Sequence, residues 1–172
     1  MEIRVLHADE ARAQVGALAD VLLDCVEGGA SVSFMAGFSQ ADSVAFFEMV
    51  AAGVARGERI LVAAFEESRV VGTVQVLLAM PPNQPHRGVI AKLLGVRRAR
   101  GRGVGRRLLE RAEIAAREAG KSLLVLDTAD GHAEKLYASL GWTRLGVVPD
   151  FALLPDGRFC DTTFFYKQLL VG

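Results

Sequence analysis

The sequence predicts one mixed α/β domain of the α+β kind, with about seven strands and about four helices in the order β-α-α-β-β-β-α-β-α-β-β. Short runs rich in β-branched residues, such as Ile60–Phe65 and Val70–Met80, alternate with longer segments whose apolar residues recur every three or four positions. Glycines close the helical segments, at Gly28-Gly29, Gly57, Gly120 and Gly141. With 172 residues, 51% hydrophobic and 23% charged, the chain can bury one sizeable core but not two, so residues 1–172 read as a single domain.

Each element has a local reason. Ile3–Leu6 is a short apolar strand, and Asp9 is an N-cap candidate for a helix that places Val15, Leu18, Ala19, Leu22 and Val26 on one face. Ala30–Phe38 is apolar but mixed with small and hydroxyl residues, which suits neither a core helix nor a linker. Ser39 then caps a second helix with Val44, Phe47, Val50, Ala51 and Val54 inward. The polar turn Glu66-Glu67-Ser68-Arg69 joins Ile60–Phe65 to Val70–Met80 as an antiparallel pair.

Pro81, Pro82 and Pro85 interrupt regular structure before the strand Val89–Val96. The helix Val104–Ala119 buries Leu108, Leu109, Ala112, Ala116 and Ala119, and its outer face offers Arg106–Glu110 and Glu113–Arg117 as i,i+4 pairs. Ser122–Leu126 is a continuous apolar strand ending at Asp127, and His132–Leu140 is a short helix. Trp142–Val148 and Thr162–Leu170 form a last antiparallel pair around the loop Leu154-Pro155-Asp156-Gly157-Arg158.

Composition removes several classes of function. Formal net charge is +0 at pH 7, so the chain as a whole has no pull toward nucleic acid or anionic lipid. The longest apolar stretch, Val70–Met80, is broken by Gly72, Thr73 and Gln75, and Met1–Glu10 has no signal-peptide core, so no membrane partner and a cytoplasmic location are expected. Cys25 and Cys160 have no CxxC partner and no histidine at metal spacing, which argues against a metal site.

The most informative run is Arg100-Gly101-Arg102-Gly103-Val104-Gly105, set between a strand and a helix. Closely spaced glycines let main-chain N–H groups approach an anion, and a helix start adds unpaired N–H groups and a positive dipole end. A dinucleotide turn is the nearest competing reading, but Arg106 stands where that fold needs a third small residue. No Gly-Lys-Ser/Thr follows, and the arginines lack the interleaved aromatics of a nucleic-acid surface.

The element order, with Arg100-x-x-Gly103-x-Gly105 after the fourth strand and Leu136-Tyr137-Ala138-Ser139-Leu140-Gly141-Trp142 before the sixth, resembles the GNAT superfamily of acyl-CoA-dependent N-acyltransferases. Glu27–Met35 and Pro155-Asp156-Gly157-Arg158 are similar to the tabtoxin-resistance acetyltransferase subgroup. The resemblance implies a mostly antiparallel central sheet and acetyl-CoA as co-substrate, without a metal. It also implies that the main chain of Leu93, Leu94 and Gly95 holds the pantetheine arm. The amides of Arg100, Gly101, Arg102, Gly103, Gly105 and Arg106 would then hold the pyrophosphate. Two positions depart from the family pattern: Arg97 stands where a proline is usual, and Asp130 where an asparagine is usual.

An aliphatic amine of pKa ~10 is protonated at neutral pH, so transfer needs a base before nitrogen can attack the thioester. Asp127 at a strand end and His86 in the proline loop are the two candidates. Tyr137 would, by the resemblance, give a proton to the departing thiolate. The acceptor is expected to be a small primary amine, amino-acid-like or of the antibiotic or toxin kind, with Glu27, Ser31, Ser33 and Phe34 around it. A protein N-acetyltransferase and a non-catalytic acyl-CoA sensor are the alternatives, and the apolar terminal strands point to a homodimer.

Overall fold

The computed structural model describes residues 1–170. Seven strands form one sheet in the order β1-β2-β3-β4-β5-β7-β6: β1 Glu2–Leu6, β2 Arg59–Glu66, β3 Arg69–Leu77, β4 Arg87–Gly95, β5 Leu123–Thr128, β6 Thr143–Leu153 and β7 Phe159–Gln168. All neighbours pair antiparallel except β4 and β5, which are parallel. The helices are α1 Ala8–Ala13, α2 Val15–Glu27, α3 Gln40–Ala55, α4 Val104–Glu118 and α5 Gly131–Ser139. The mixed, mostly antiparallel sheet flanked by helices is the architecture expected.

β2 and β3 are buried along nearly their whole length, which requires cover on both faces. α2 and α3 pack on each other and against β3 and β2, while α4 lies across β1 to β4. Gly72 makes the second contact possible. A Cβ there would sit 2.8 Å from the Leu94 carbonyl oxygen and 2.8 Å from Val104 Cγ1, so only glycine lets α4 come down onto the sheet.

Among the described residues five α-helices replace the expected four, because the first helical segment is two helices meeting at Gln14. The N-cap is His7, whose carbonyl accepts from Ala11 N–H at 2.8 Å, and Asp9 lies inside the first turn, where its charge suits the helix dipole. Ser39 caps α3 as expected, in a reciprocal box with Asp42. β3 stops at Leu77 rather than Met80, because the N–H groups of Leu78 and Ala79 turn to the Glu58 carbonyl.

Two expectations about α4 are corrected. Ala119 is exposed at the helix end. Glu113 does not pair with Arg117 on an outer face; it is buried and accepts from Trp142 Nε1 at 2.8 Å and Lys167 Nζ at 2.6 Å. The Arg106–Glu110 pair does form, at 3.6 Å. The terminal hairpin runs longer than expected, since the main-chain N–H of Asp150 bonds the Asp161 carboxylate and carries pairing past Pro149 through a bulge.

Candidate active site

Parallel pairing between β4 and β5 is confined to Arg87, Gly88 and Val89 against Leu123, Leu124 and Val125. Beyond it β4 follows β3 to Gly95, while β5 follows β7 to Thr128. The sheet therefore splits, and among the described residues Ile90–Gly95 has no strand partner on that side. An extra residue in β4 between Ala91 and Leu94 makes a bulge, with Lys92 at φ 53°. Leu93, Leu94 and Gly95 lie at the open edge, where an extended ligand can bond to main-chain groups; the Gly95 carbonyl receives the Cys25 thiol at 3.6 Å.

The glycine loop closes the same end of the split. Gly101 and Gly103 both have φ near +75°, a region open to glycine at no steric penalty. Gly103 is the N-cap of α4 without a side-chain cap. The amides from Gly101 to Arg106 have no acceptor among the described residues, the first intrahelical bond being Arg107 N–H to the Gly103 carbonyl. Gly105 has a different role. A Cβ there would reach within 3.2 Å of Leu136 Cδ2, so it lets α5 pack against the start of α4.

The arginines are more occupied than their clustering in sequence suggests. Arg97 bonds Asp24, Arg102 bonds Glu66 at 2.9 Å, and Arg106 bonds the Ser139 hydroxyl at 2.7 Å. Arg100 has no ion pair among the described residues, but its main-chain N–H donates to the Arg97 carbonyl at 3.2 Å, closing the short turn before the loop, so it does not join the free amides as the resemblance implied. At Arg97, where the resembled family has a proline, the main-chain N–H is in use: it donates to Asp24 Oδ2 at 2.8 Å, while Nε donates to Oδ1 at 2.9 Å. Asp130, the other departure, caps α5 by accepting from His132 N–H at 2.8 Å.

Tyr137 is 4% exposed, against the rings of Trp142 at 5.9 Å and Phe165 at 5.5 Å. Burial first, then the charges of Asp130 and Asp127, push its phenol well above the ordinary value. Its hydroxyl has no hydrogen-bond partner among the described residues. Asp127 is exposed near the end of β5 and accepts from Thr162 Oγ1 at 3.0 Å.

His86 does not join this group. Its carbonyl accepts from the N–H groups of Ser122 and Leu123, and Lys121 bonds the neighbouring Pro85 carbonyl at 2.7 Å, so it sits at the closed end of the split. At a strand rise of ~3.3 Å per residue, that is about 16 Å along the sheet from Asp127.

The segment from Gly29 to Phe38 crosses toward the β6–β7 turn, where Ala36 N–H bonds the Pro155 carbonyl at 2.9 Å. Between them lies a cavity of about 370 Å³ whose walls include Glu27, Phe38, Leu154, Asp156 and Arg158. Ser31 Oγ meets Cys160 Sγ at 3.5 Å, and Phe34 stacks on Phe38 at 4.2 Å. Ser33, at φ 78°, accepts from Lys92 Nζ at 2.9 Å. Lys92 escaped the sequence reading: nothing in a strand of apolar residues marks one lysine as turned inward by a bulge.

Residues 29–142 match the family model described as Acetyltransferase (GNAT) family. Among solved structures, a ribosomal-protein-alanine N-acetyltransferase from Brucella melitensis is 24% identical, with 98% of this chain and 100% of that one covered and a TM-score of 0.80. The protein yncA from Salmonella typhimurium, solved with its cofactor acetyl-CoA, is 23% identical over 98% of this chain and 94% of that one, with a TM-score of 0.81. A phosphinothricin acetyltransferase from Sinorhizobium meliloti, in complex with acetyl-CoA, is 19% identical over 98% and 88%, with a TM-score of 0.79. At these identities the likeness is one of fold.

Proposed function

The chain belongs to the acetyltransferase (GNAT) family and is an N-acetyltransferase; from this premise we propose that it moves the acetyl group of acetyl-CoA to the primary amine of a small molecule, by direct attack in a ternary complex. The observation that carries the reading is the coincidence, at one end of the split sheet, of an open strand edge with a helix start whose amides lack acceptors among the described residues. An extended thioester with a diphosphate is the ligand that uses both.

In this reading the amides of Gly101, Arg102, Gly103, Gly105 and Arg106 hold the pyrophosphate, with Arg100 contributing charge. Leu93, Leu94 and Gly95 bond the pantetheine arm through their main chains. Asp127, directly or through a water, accepts the amine proton; the position of His86 at the closed end favours Asp127 over it. The nitrogen lone pair then attacks the thioester carbon, whose oxygen is polarised by the N–H of Leu93 or Leu94 at the bulge. As the C–S bond breaks, Tyr137 gives its proton to sulfur, and the second proton of the acylated nitrogen passes through water to the phenolate, leaving a neutral amide, a free thiol and a restored phenol. A phenol kept neutral by burial is in the donating form throughout the neutral range, and the thiolate formed beside it is desolvated in the same way.

The acceptor lies against Glu27, Ser31, Ser33 and Phe34. The contact between Ala36 and Pro155 narrows this side, which favours a small amine over a peptide. The similarity of Glu27–Met35 and Pro155–Arg158 to the tabtoxin-resistance acetyltransferases supports an amino-acid-like toxin or antibiotic. We further read residues 1–172 as one catalytic domain acting in the cytoplasm, with neither nucleic acid nor membrane as partner. The exposed apolar side chains of edge strand β6, Leu145, Val147 and Phe151 among them, support a homodimer.

The experiment is thiol release from acetyl-CoA by the purified chain against a panel of amino acids, polyamines and aminoglycosides. Turnover with one class of free amine is the expected result. Acetyl-CoA binding with no turnover, or acetylation of peptides alone, overturns the reading.

A further inference from the structure

One charged group at the split takes no part in the reaction above. Lys92 lies on the bulge of β4, half-buried, with Nζ 2.9 Å from Ser33 Oγ and 5.8 Å from the centre of the Phe34 ring. No carboxylate among the described residues is within salt-bridge distance of it. An ammonium has three donors, and the Ser33 hydroxyl occupies one. Its φ of 53° is one that non-glycine residues seldom adopt, so the fold spends backbone strain to aim this side chain.

Resting on the acetyltransferase reading, we propose that Lys92 binds a carboxylate of the acceptor, so that the preferred acceptors are α-amino acids or their close analogues and polycationic amines are turned away. The charge order supports this. Asp127, on the opposite bank of the split, is close enough for its charge to act on Lys92, so an anion and a cation face the same space. A zwitterion fits such a pair in one orientation only, ammonium to Asp127 and carboxylate to Lys92. A polyamine would bring a second positive charge to a partly desolvated ammonium, which is the repulsive half of a specificity device. Burial already pushes the Lys92 ammonium below its ordinary value, and a bound carboxylate would relieve that penalty.

The test compares kcat/KM for an amino acid and for its primary amide, which share the amine but differ in the carboxylate. The wild type prefers the acid. Lys92→Met lowers the acid-to-amide ratio about 10- to 100-fold, the size of one or two charge-assisted hydrogen bonds. Lys92→Arg, which retains the charge, keeps the preference. A wild-type ratio near one, or an equal loss on both acceptors in Lys92→Met, overturns the proposal while leaving the acetyltransferase reading intact. If the wild type turns over no free amine at all, both fall together.

Discussion

The carboxylate of Asp24 on α2 receives both the main-chain N–H and the guanidinium Nε of Arg97, at 2.8 and 2.9 Å, so one side chain fixes the residue at which β4 leaves the sheet for the glycine loop. A proline at this position would offer neither donor. The departure at Arg97 thus replaces a stiff residue with a hydrogen-bonded clamp. Desolvation acts to raise the Asp24 carboxyl, but the bonds to Arg97 and its charge outweigh it and hold the group below the usual value of 3.8.

Asp24→Asn should therefore destabilise the fold by about 1–3 kcal/mol and weaken acetyl-CoA binding by loosening the loop. The folded-state pKa is depressed, so the clamp's contribution is present above the unfolded-state value and is lost as pH falls through the lower folded one. The difference in melting temperature between wild type and variant should shrink below about pH 4. A constant difference down to pH 2 would show that the Asp24 carboxylate does not act as this clamp.

Glu113 joins α4 to the last strands by accepting from Trp142 Nε1 and Lys167 Nζ. Glu113→Ala strands the Lys167 ammonium with only the Leu140 carbonyl and should cost about 3–5 kcal/mol in chemical denaturation. Glu113→Gln, which keeps an acceptor for Trp142, should cost less.

Gly72→Ala brings a methyl group within 2.8 Å of both the Leu94 carbonyl oxygen and Val104 Cγ1. A main-chain atom cannot step aside as a side-chain tip can, so a loss of about 1–3 kcal/mol is expected, measured by thermal unfolding. Gly105→Ala meets only the flexible tip of Leu136 and should be milder.

Tyr137→Phe should lower kcat by about 10²- to 10⁴-fold. Because burial raises the phenol pKa, the group stays protonated well past neutrality, and the wild-type kcat should show no alkaline loss assignable to it below about pH 10. A tyrosine-dependent limb near pH 9, absent in the variant, would contradict the raised phenol pKa, and an unchanged kcat in Tyr137→Phe would contradict the role.

The alternation of elements was legible because the sheet and its helices write their periods locally: Leu18, Leu22 and Val26 on one face, Ile60–Phe65 as a β-branched run. The glycine loop at Gly101, Gly103 and Gly105 was legible for the same reason, since closely spaced glycines before a helix mark an anion site in the local sequence. The break at Gln14 was not, because the apolar pattern continues through it. Glu113 spaced itself as a surface residue, and its partners, Trp142 and Lys167, are distant in sequence. The places of Lys92 and His86 were set by strand register and could not be read locally: the one lies on a bulge with its ammonium against Ser33, the other is pinned at the base of the β4–β5 pair.

The α4 start and the open edge of β4 together form the site proposed to hold acetyl-CoA. Calorimetric titration of acetyl-CoA into wild type and Gly103→Val tests it most directly, because a β-branched residue at φ 76° must turn the loop amides away from their common target. One binding event per chain is expected, weakened at least tenfold in the variant while the melting temperature stays within a few degrees. Absence of binding heat in the wild type, or equal affinity in the two proteins, would contradict it.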